Sequence, residues 1–177
     1  MAMADTIKVL ISEEQVKERI KELGAQISKE YEGKSLHLIC ILKGSIFFTC
    51  ELARYITVPV TIDFITVSSY GNGKTSTGKV SIIRDLTEGI QARDVLVIED
   101  IVDTGRTLSY LMEMLKERKP ASIKLCTLLD KPNRRTHPVD VEYVGFEVPD
   151  EFIVGWGLDY AQNYRNLPYI GILGDEE

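Results

Sequence analysis

The stretch Val95–Thr107, VLVIEDIVDTGRT, constrains this chain more than any other. An apolar run of strand character ends in two adjacent carboxylates, Glu99 and Asp100. Asp103-Thr104-Gly105-Arg106-Thr107 follow, and then a helical pattern with Leu108, Leu111, Met112 and Leu115 on one face. Strand, polar turn and helix start in succession make an anion pocket, because the first N–H groups of a helix lack partners and the helix dipole adds positive potential. Gly105 lets the backbone approach a ligand closely, and Thr104 and Thr107 carry hydroxyl donors. In an open α/β sheet, ligands lie at the carboxyl ends of strands, where this turn falls. Singly, Glu99 and Asp100 read equally well as solvated strand-end charges, and Asp103 as a helix cap. As a group they do not: paired acids beside an anion pocket repel each other and the anion unless they bind hydroxyls or a divalent cation. A ribose phosphate meets both demands, its diol on the acids and its phosphate in the turn.

The rest of the chain supplies a frame for such a turn. Ser12-Glu-Glu-Gln15 has the form of a capping box and opens a helix to about residue 30, with Val16, Ile20, Leu23 and Ile27 on one face. Gly33 breaks the chain there. Strands are expected at 36–42, 58–67, 80–83, 95–98, 123–129, 141–146, 152–154 and 169–172, and helices at 45–55 and 107–118. Buried-strand runs alternating with helices predict an α/β fold, a mainly parallel twisted sheet flanked by helices. One domain over residues 1–177 is expected, its helix-poor C-terminal third capping the sheet. Residues 68–78, SSYGNGKTSTG, read as a mobile loop by composition.

Composition narrows the function classes. Lys plus Arg total 21 against 27 Asp plus Glu, a net charge of −6, which argues against nucleic acid and anionic membranes as partners. Cys40, Cys50 and Cys126 each sit in an apolar stretch, where a reduced, buried thiol is expected. With no C-x-x-C and only His37 and His137, a zinc site is disfavoured. MAMADT is not a signal peptide, and the run LHLICIL is too short to span a membrane, so a cytoplasmic location is expected. Gly73-Lys74-Thr75 imitates the end of a P-loop, but Ser68 stands where that motif needs glycine and a strand pattern follows instead of a helix. Asp103-Thr104-Gly105 matches the short signature of aspartic proteases, which need two such carboxylates; the chain has one.

Val95–Thr107 resembles the phosphoribosyl-pyrophosphate-binding motif of the type I phosphoribosyltransferases: an apolar strand, two acids and D-[ST]-G-x-T. Leu42-Lys43-Gly44 resembles the family's pyrophosphate loop and Ser69-Tyr70 the opening of its flexible catalytic loop. Lys131 in LLDKPNRR resembles its purine-contacting lysine, and GFEVPDEFIVGWGLDY its base-binding hood. These landmarks run in family order from 36 to 173 and are most similar to the bacterial hypoxanthine-guanine branch.

The resemblance implies a type I phosphoribosyltransferase fold with a small hood built from roughly 1–12 and 130–177. It implies transfer of the phosphoribosyl group from phosphoribosyl pyrophosphate to hypoxanthine or guanine, with magnesium (Mg2+) as cofactor. Asp103 is implied as the general base at purine N7, and Thr104, Gly105, Arg106 and Thr107 as the 5′-phosphate site. Leu42, Lys43, Gly44 and Arg165 are implied as pyrophosphate contacts, with a cis peptide at Leu42–Lys43. Glu99 and Asp100 beside the ribose diol, and Asp159 on the pyrophosphate side, are implied as metal ligands. Lys131, Phe152, Ile153 and Asp159 are implied to bind the base, and Ser69 and Tyr70 to close over the site. Relatives of this kind form homodimers or homotetramers, so a homo-oligomer is expected. Two alternatives stand beside this: a nucleotide-responsive regulator on the same fold, disfavoured by the acidic charge, and an enzyme for another base, such as xanthine or a pyrimidine.

Overall fold

Among the described residues, 6–69 and 80–174, the chain forms nine strands, three α-helices and one short 3-10 helix. The structure is a computed structural model. In chain order the elements are β1 (Ile7–Ile11), α1 (Glu13–Glu30), β2 (Leu36–Ile41), α2 (Ile46–Tyr55), β3 (Val60–Ser69) and β4 (Val80–Arg84). Then come β5 (Asp94–Val102), α3 (Arg106–Lys116), β6 (Ser122–Asp130), the 3-10 helix Pro132–Arg134, β7 (Tyr143–Glu147), β8 (Ile153–Val154) and β9 (Ile170–Leu173). The capping box is made in full: Ser12 Oγ accepts from Gln15 N at 3.3 Å, and Gln15 Oε1 accepts from Ser12 N at 2.9 Å.

A six-stranded sheet runs β4-β3-β2-β5-β6-β7, parallel except for the edge strand β4. β2 is buried at every position, which a strand covered on both faces requires of its sequence. One face packs under α1 and α2, where Val16, Ile20, Leu23 and Ile27 meet Leu38, Leu96 and Cys126. The other packs under α3, where Leu108, Leu111 and Leu115 meet Ile39, Val97 and Leu125. β1, β9 and β8 form a second, antiparallel sheet that joins the two ends of the chain, Ile7 opposite Leu173. β2 and β5 lie in register from Leu36↔Asp94 to Cys40↔Ile98. Leu42–Gly44 therefore leave the carboxyl end of β2 beside Glu99 and Asp100, in the carboxyl-terminal half of β5.

Three expectations are corrected. β5 does not stop at Ile98: Glu99, Ile101 and Val102 remain paired with Thr127, Leu129 and Asp130 of β6, so the two acids sit within the ladder. Cys50 is exposed, while Cys40 and Cys126 are buried; α2 turns Phe48, Thr49 and Leu52 inward and leaves Cys50 on the opposite face. β1 was not expected as a strand. Among the described residues no helix is long and apolar enough to cross a membrane. Gly73, Lys74 and Thr75, with most of the stretch 68–78, lie outside the described residues.

Asp63 in β3 anchors the β4–β5 connection. The residue is 3% exposed; Oδ1 accepts from Phe64 N at 2.8 Å, and Oδ2 from Thr87 N, Thr87 Oγ1 and Glu88 N at 2.7, 2.9 and 3.2 Å. Burial pushes this carboxyl up, but the hydrogen bonds outweigh it and hold it below the usual carboxylate range. The unfolded chain therefore takes up the proton first, so the contribution of Asp63 is complete above an unfolded pKa of about 3.9 and is lost as pH falls through the folded value. Asp63→Asn should destabilise by about 1–3 kcal/mol at neutral pH. Urea unfolding of both proteins should show that gap closing below about pH 4; a gap unchanged at low pH would mean the ionised carboxylate is not what matters.

Candidate active site

The turn after β5 is held from one side. The carbonyl of Asp103 accepts from Arg135 Nε at 3.2 Å, and that of Thr104 from Thr136 N and His137 N at 3.0 and 3.1 Å. In a trans peptide the N–H points opposite to the C=O, so the amides of Thr104 and Gly105 face away from the 135–137 segment. Gly105 (φ 78°) leads into α3 without a side-chain cap. A Cβ there would lie 2.5 Å from the His137 carbonyl, so the close packing of this support requires glycine. Arg135 also pairs with the Asp130 carboxylate. The result is a helix start on a braced backbone, its Arg106 N only loosely held by Thr104 Oγ1 at 3.4 Å, an arrangement suited to a phosphate.

Leu42–Gly44 packs against the end of β5, and the Leu42–Lys43 peptide is cis. A Cβ on Gly44 would lie 1.7 Å from Asp100 Oδ2, and one on Gly157 1.8 Å from the Gly44 carbonyl. The loop is thus sandwiched between Asp100 and the segment after β8. That segment turns sharply, with positive φ at Gly155, Trp156, Gly157, Ala161, Gln162 and Tyr164. Arg165 is fixed by the Gly157 carbonyl at 2.7 Å, by Asp159 at 2.9 Å and by Gln162 Oε1 at 3.4 Å. Lys43 Nζ donates to the same Gln162 Oε1 at 3.2 Å, so one amide oxygen gathers two cations.

Glu99 and Asp100 are partly buried, each accepting from a backbone N–H nearby: Glu99 Oε1 from Asp100 N at 3.0 Å and Asp100 Oδ1 from Ile101 N at 2.7 Å. Burial, and next the Asp100 carboxylate, push Glu99 well above the usual range. Burial raises Asp100 as well, against the pull of its hydrogen bonds and of Arg165. Such a pair is stabilised in its charged form by a cation or by hydroxyl donors.

Beside these groups lies a cavity of about 440 Å³ whose walls include Asp100, Asp103, Lys131, Phe152, Ile153 and Asp159. Lys131 is almost buried, and its Nζ donates to the Glu151 carbonyl at 2.7 Å. Phe152 is 52% exposed and meets Tyr160 edge to face, ring centroids 5.4 Å apart, so one face is open to a planar ligand. Trp156 packs, its Nε1 donating to the Pro168 carbonyl at 2.5 Å. Glu99 is not a wall of this cavity. Ser69 ends β3 opposite Val80, and Tyr70 lies outside the described residues.

Sequence reasoning passed over four residues here. Arg134 lies 2.8 Å from Asp103 Oδ1 and 3.2 Å from Asp150 Oδ1; Arg135, Asp150 and Gln162 hold neighbours in place. The pair Arg134-Arg135 beside Lys131 is the only signal in the sequence, and it does not say which arginine faces the site.

Residues 10–161 match the phosphoribosyl transferase domain family. The chain is 54% identical over 172 residues to the bifunctional protein TilS/HprT of Listeria monocytogenes, a match covering 97% of this chain and 26% of that protein. It therefore spans about a quarter of the length of that relative. It is 49% identical over 176 residues to a hypoxanthine-guanine phosphoribosyltransferase of Streptococcus thermophilus, covering 99% of this chain and 98% of the relative. The crystal structure of a hypoxanthine-guanine phosphoribosyltransferase from Bacillus anthracis superposes with a TM-score of 0.90 at 46% identity, covering 97% of this chain and all of that one.

Proposed function

The chain belongs to the phosphoribosyltransferase family, and on that premise we propose that it joins hypoxanthine or guanine to C1′ of phosphoribosyl pyrophosphate, forming IMP or GMP and releasing pyrophosphate. The observation that carries this reading is one shared wall: Asp103 lines the cavity of Lys131 and Phe152 and also opens the braced turn before α3. Base and ribose phosphate would meet at that residue.

Phe152 would stack on the purine, and Lys131, with one N–H on the Glu151 carbonyl, would donate another to O6. An ammonium has no acceptor, so it favours a 6-oxo group over the 6-amino group of adenine. The carbonyls of Ile153 and Asp159 would accept from a 2-amino group. Asp103 would take or share the N7 proton as N9 bonds to C1′. Thr104–Thr107 would hold the 5′-phosphate, while Lys43 and Arg165 would hold the pyrophosphate with the backbone of Leu42 and Gly44. Charge develops on the ribose and the departing pyrophosphate together, so fixed groups that need no reorganisation carry much of the catalysis.

The residues fit magnesium. Glu99 and Asp100 are carboxyls that burial pushes above the usual range, Glu99 further by its neighbour, so a cation would stabilise their charged forms, and among the described residues no three His, Cys, Asp or Glu side chains form a closed metal cage. That suits a cation taking one or two carboxylates together with substrate oxygens. Glu99 and Asp100 would hold it at the diol and Asp159 on the pyrophosphate side, and its charge would stabilise the departing pyrophosphate. The same reading takes the enzyme as cytoplasmic and as a homodimer or homotetramer, with exposed apolar side chains such as Phe47 and Ile83 available to a second copy. Ser69 and Tyr70 would close the site against water.

Supplying phosphoribosyl pyrophosphate and magnesium with hypoxanthine, guanine, xanthine, adenine or uracil in turn, and following nucleotide formation, tests the reading. Product is expected from hypoxanthine or guanine and none from adenine or uracil. Turnover of neither 6-oxopurine would overturn it, and turnover of xanthine alone would reassign the base.

A further inference from the structure

We propose that Arg134 is the positioning residue for Asp103, holding one carboxylate oxygen so that the other faces the purine. The inference rests on the reading of Asp103 as the base. Asp103 Oδ1 is shut off from solvent and has no hydrogen-bond partner among the described residues, yet the side chain as a whole is 44% exposed. Its open side is therefore the Oδ2 side. A buried carboxylate oxygen without a hydrogen bond is costly unless a charge stands beside it, and the group that does so is the Arg134 guanidinium, Nε at 2.8 Å.

Arg134 is itself held at its far end. Nη1 reaches both oxygens of Asp150, at 3.2 and 3.3 Å, while Nε stands within ion-pair distance of Asp103. The guanidinium is planar and rigid, so two fixed points set its orientation. Asp150 also lies 3.8 Å from Lys131 Nζ. One carboxylate thus ties the group proposed to read O6 to the group that orients the base at N7. All three residues, with Asp103, line the same cavity. The neighbour Arg135 has a different job: its guanidinium is spent on the carbonyls of Asp103 and Val139 and on Asp130.

Both side chains are half-exposed, so shortening Arg134 would open Asp103 Oδ1 to water and cost little stability; the role is therefore tested by turnover. The experiment is a double-mutant cycle with Asp103→Asn and Arg134→Gln, read as kcat with hypoxanthine and phosphoribosyl pyrophosphate saturating. Arg134→Gln alone should lower kcat on the order of tenfold, leave the KM for phosphoribosyl pyrophosphate within about twofold and leave the thermal midpoint unchanged. Arg134→Lys should recover part of the loss. In the Asp103→Asn background, Arg134→Gln should have no further effect. A second loss of similar size there would show that Arg134 acts independently of Asp103 and overturn the proposal, as would an Arg134→Gln enzyme with wild-type kcat. A lowered thermal midpoint that accounts for the lost activity would overturn it in favour of a structural role. If Asp103→Asn alone leaves kcat intact, it is the assignment of Asp103 as base that fails.

Discussion

Asp103→Asn should lower kcat by about 10²–10⁴-fold, the usual contribution of a positioned general base, while phosphoribosyl pyrophosphate binds almost as well as before. The two effects separate because Asp103 holds its neighbours through its backbone, whereas its proposed service to the base is through its side chain. The bond from Arg135 Nε goes to the Asp103 carbonyl, and the Thr104 carbonyl takes Thr136 N and His137 N; none of these changes when a carboxylate becomes an amide. The amides of Thr104 and Gly105 keep their direction, away from the 135–137 segment, and so their proposed hold on the phosphate. What disappears is a group able to accept the N7 proton, since an amide of the same shape has no useful basicity. Steady-state kinetics with hypoxanthine, set beside calorimetric titration of phosphoribosyl pyrophosphate in magnesium, checks both halves. Loss of binding would make the side chain structural, and unimpaired turnover would remove the base assignment.

How much of the fold is legible in the sequence follows from how local each feature is. The turn at 103–107 was legible because its parts are consecutive: the apolar run of β5, the polar residues and the amphipathic α3 need no distant partner to be recognised. The capping box at Ser12 and the buried face of α1 are local for the same reason. β1 was not legible, because IKVLI becomes a strand only through β9 at the far end of the chain. The extent of β5 was misjudged because adjacent acids usually end a strand, whereas the ladder to β6 holds Glu99 and Ile101 in place. Cys50 looked buried because its neighbours are apolar; only the rotation of α2 separates it from Phe48 and Leu52. In the site, the resemblance named residues but not their contacts. Arg134 and Arg135 are adjacent and chemically identical, and their different tasks come from the 3-10 helix that sends one to Asp103 Oδ1 and the other to the backbone. Gln162 carries no charge to draw notice, yet it gathers Lys43 and Arg165.

Gly157→Ala should abolish most activity and weaken the fold together, and three glycines allow the causes to be separated. At Gly157 (φ 99°) an added methyl would lie 1.8 Å from the Gly44 carbonyl oxygen, a backbone atom that moves only if the 42–44 loop moves. Overpacking adds about 1–3 kcal/mol and a left-handed backbone about 1–2 kcal/mol, so a loss of about 2–5 kcal/mol is expected. Displacing the loop by about 1 Å would lower turnover by about 10²-fold, since Lys43 and Asp100 both depend on it. At Gly44 the methyl meets the Asp100 carboxylate, 1.7 Å from Oδ2, the end of a side chain that can swing away. Gly44→Ala should therefore weaken binding of phosphoribosyl pyrophosphate with magnesium and disturb the fold less than Gly157→Ala. Gly33 shares the positive φ, 77°, but a methyl there meets nothing within 4 Å. Gly33→Ala should lose only the conformational part, about 1–2 kcal/mol, with kinetics unchanged. If Gly33→Ala and Gly157→Ala proved equally harmful to turnover, the harm would come from backbone conformation alone, and the contact of Gly157 with the 42–44 loop would have no part in catalysis.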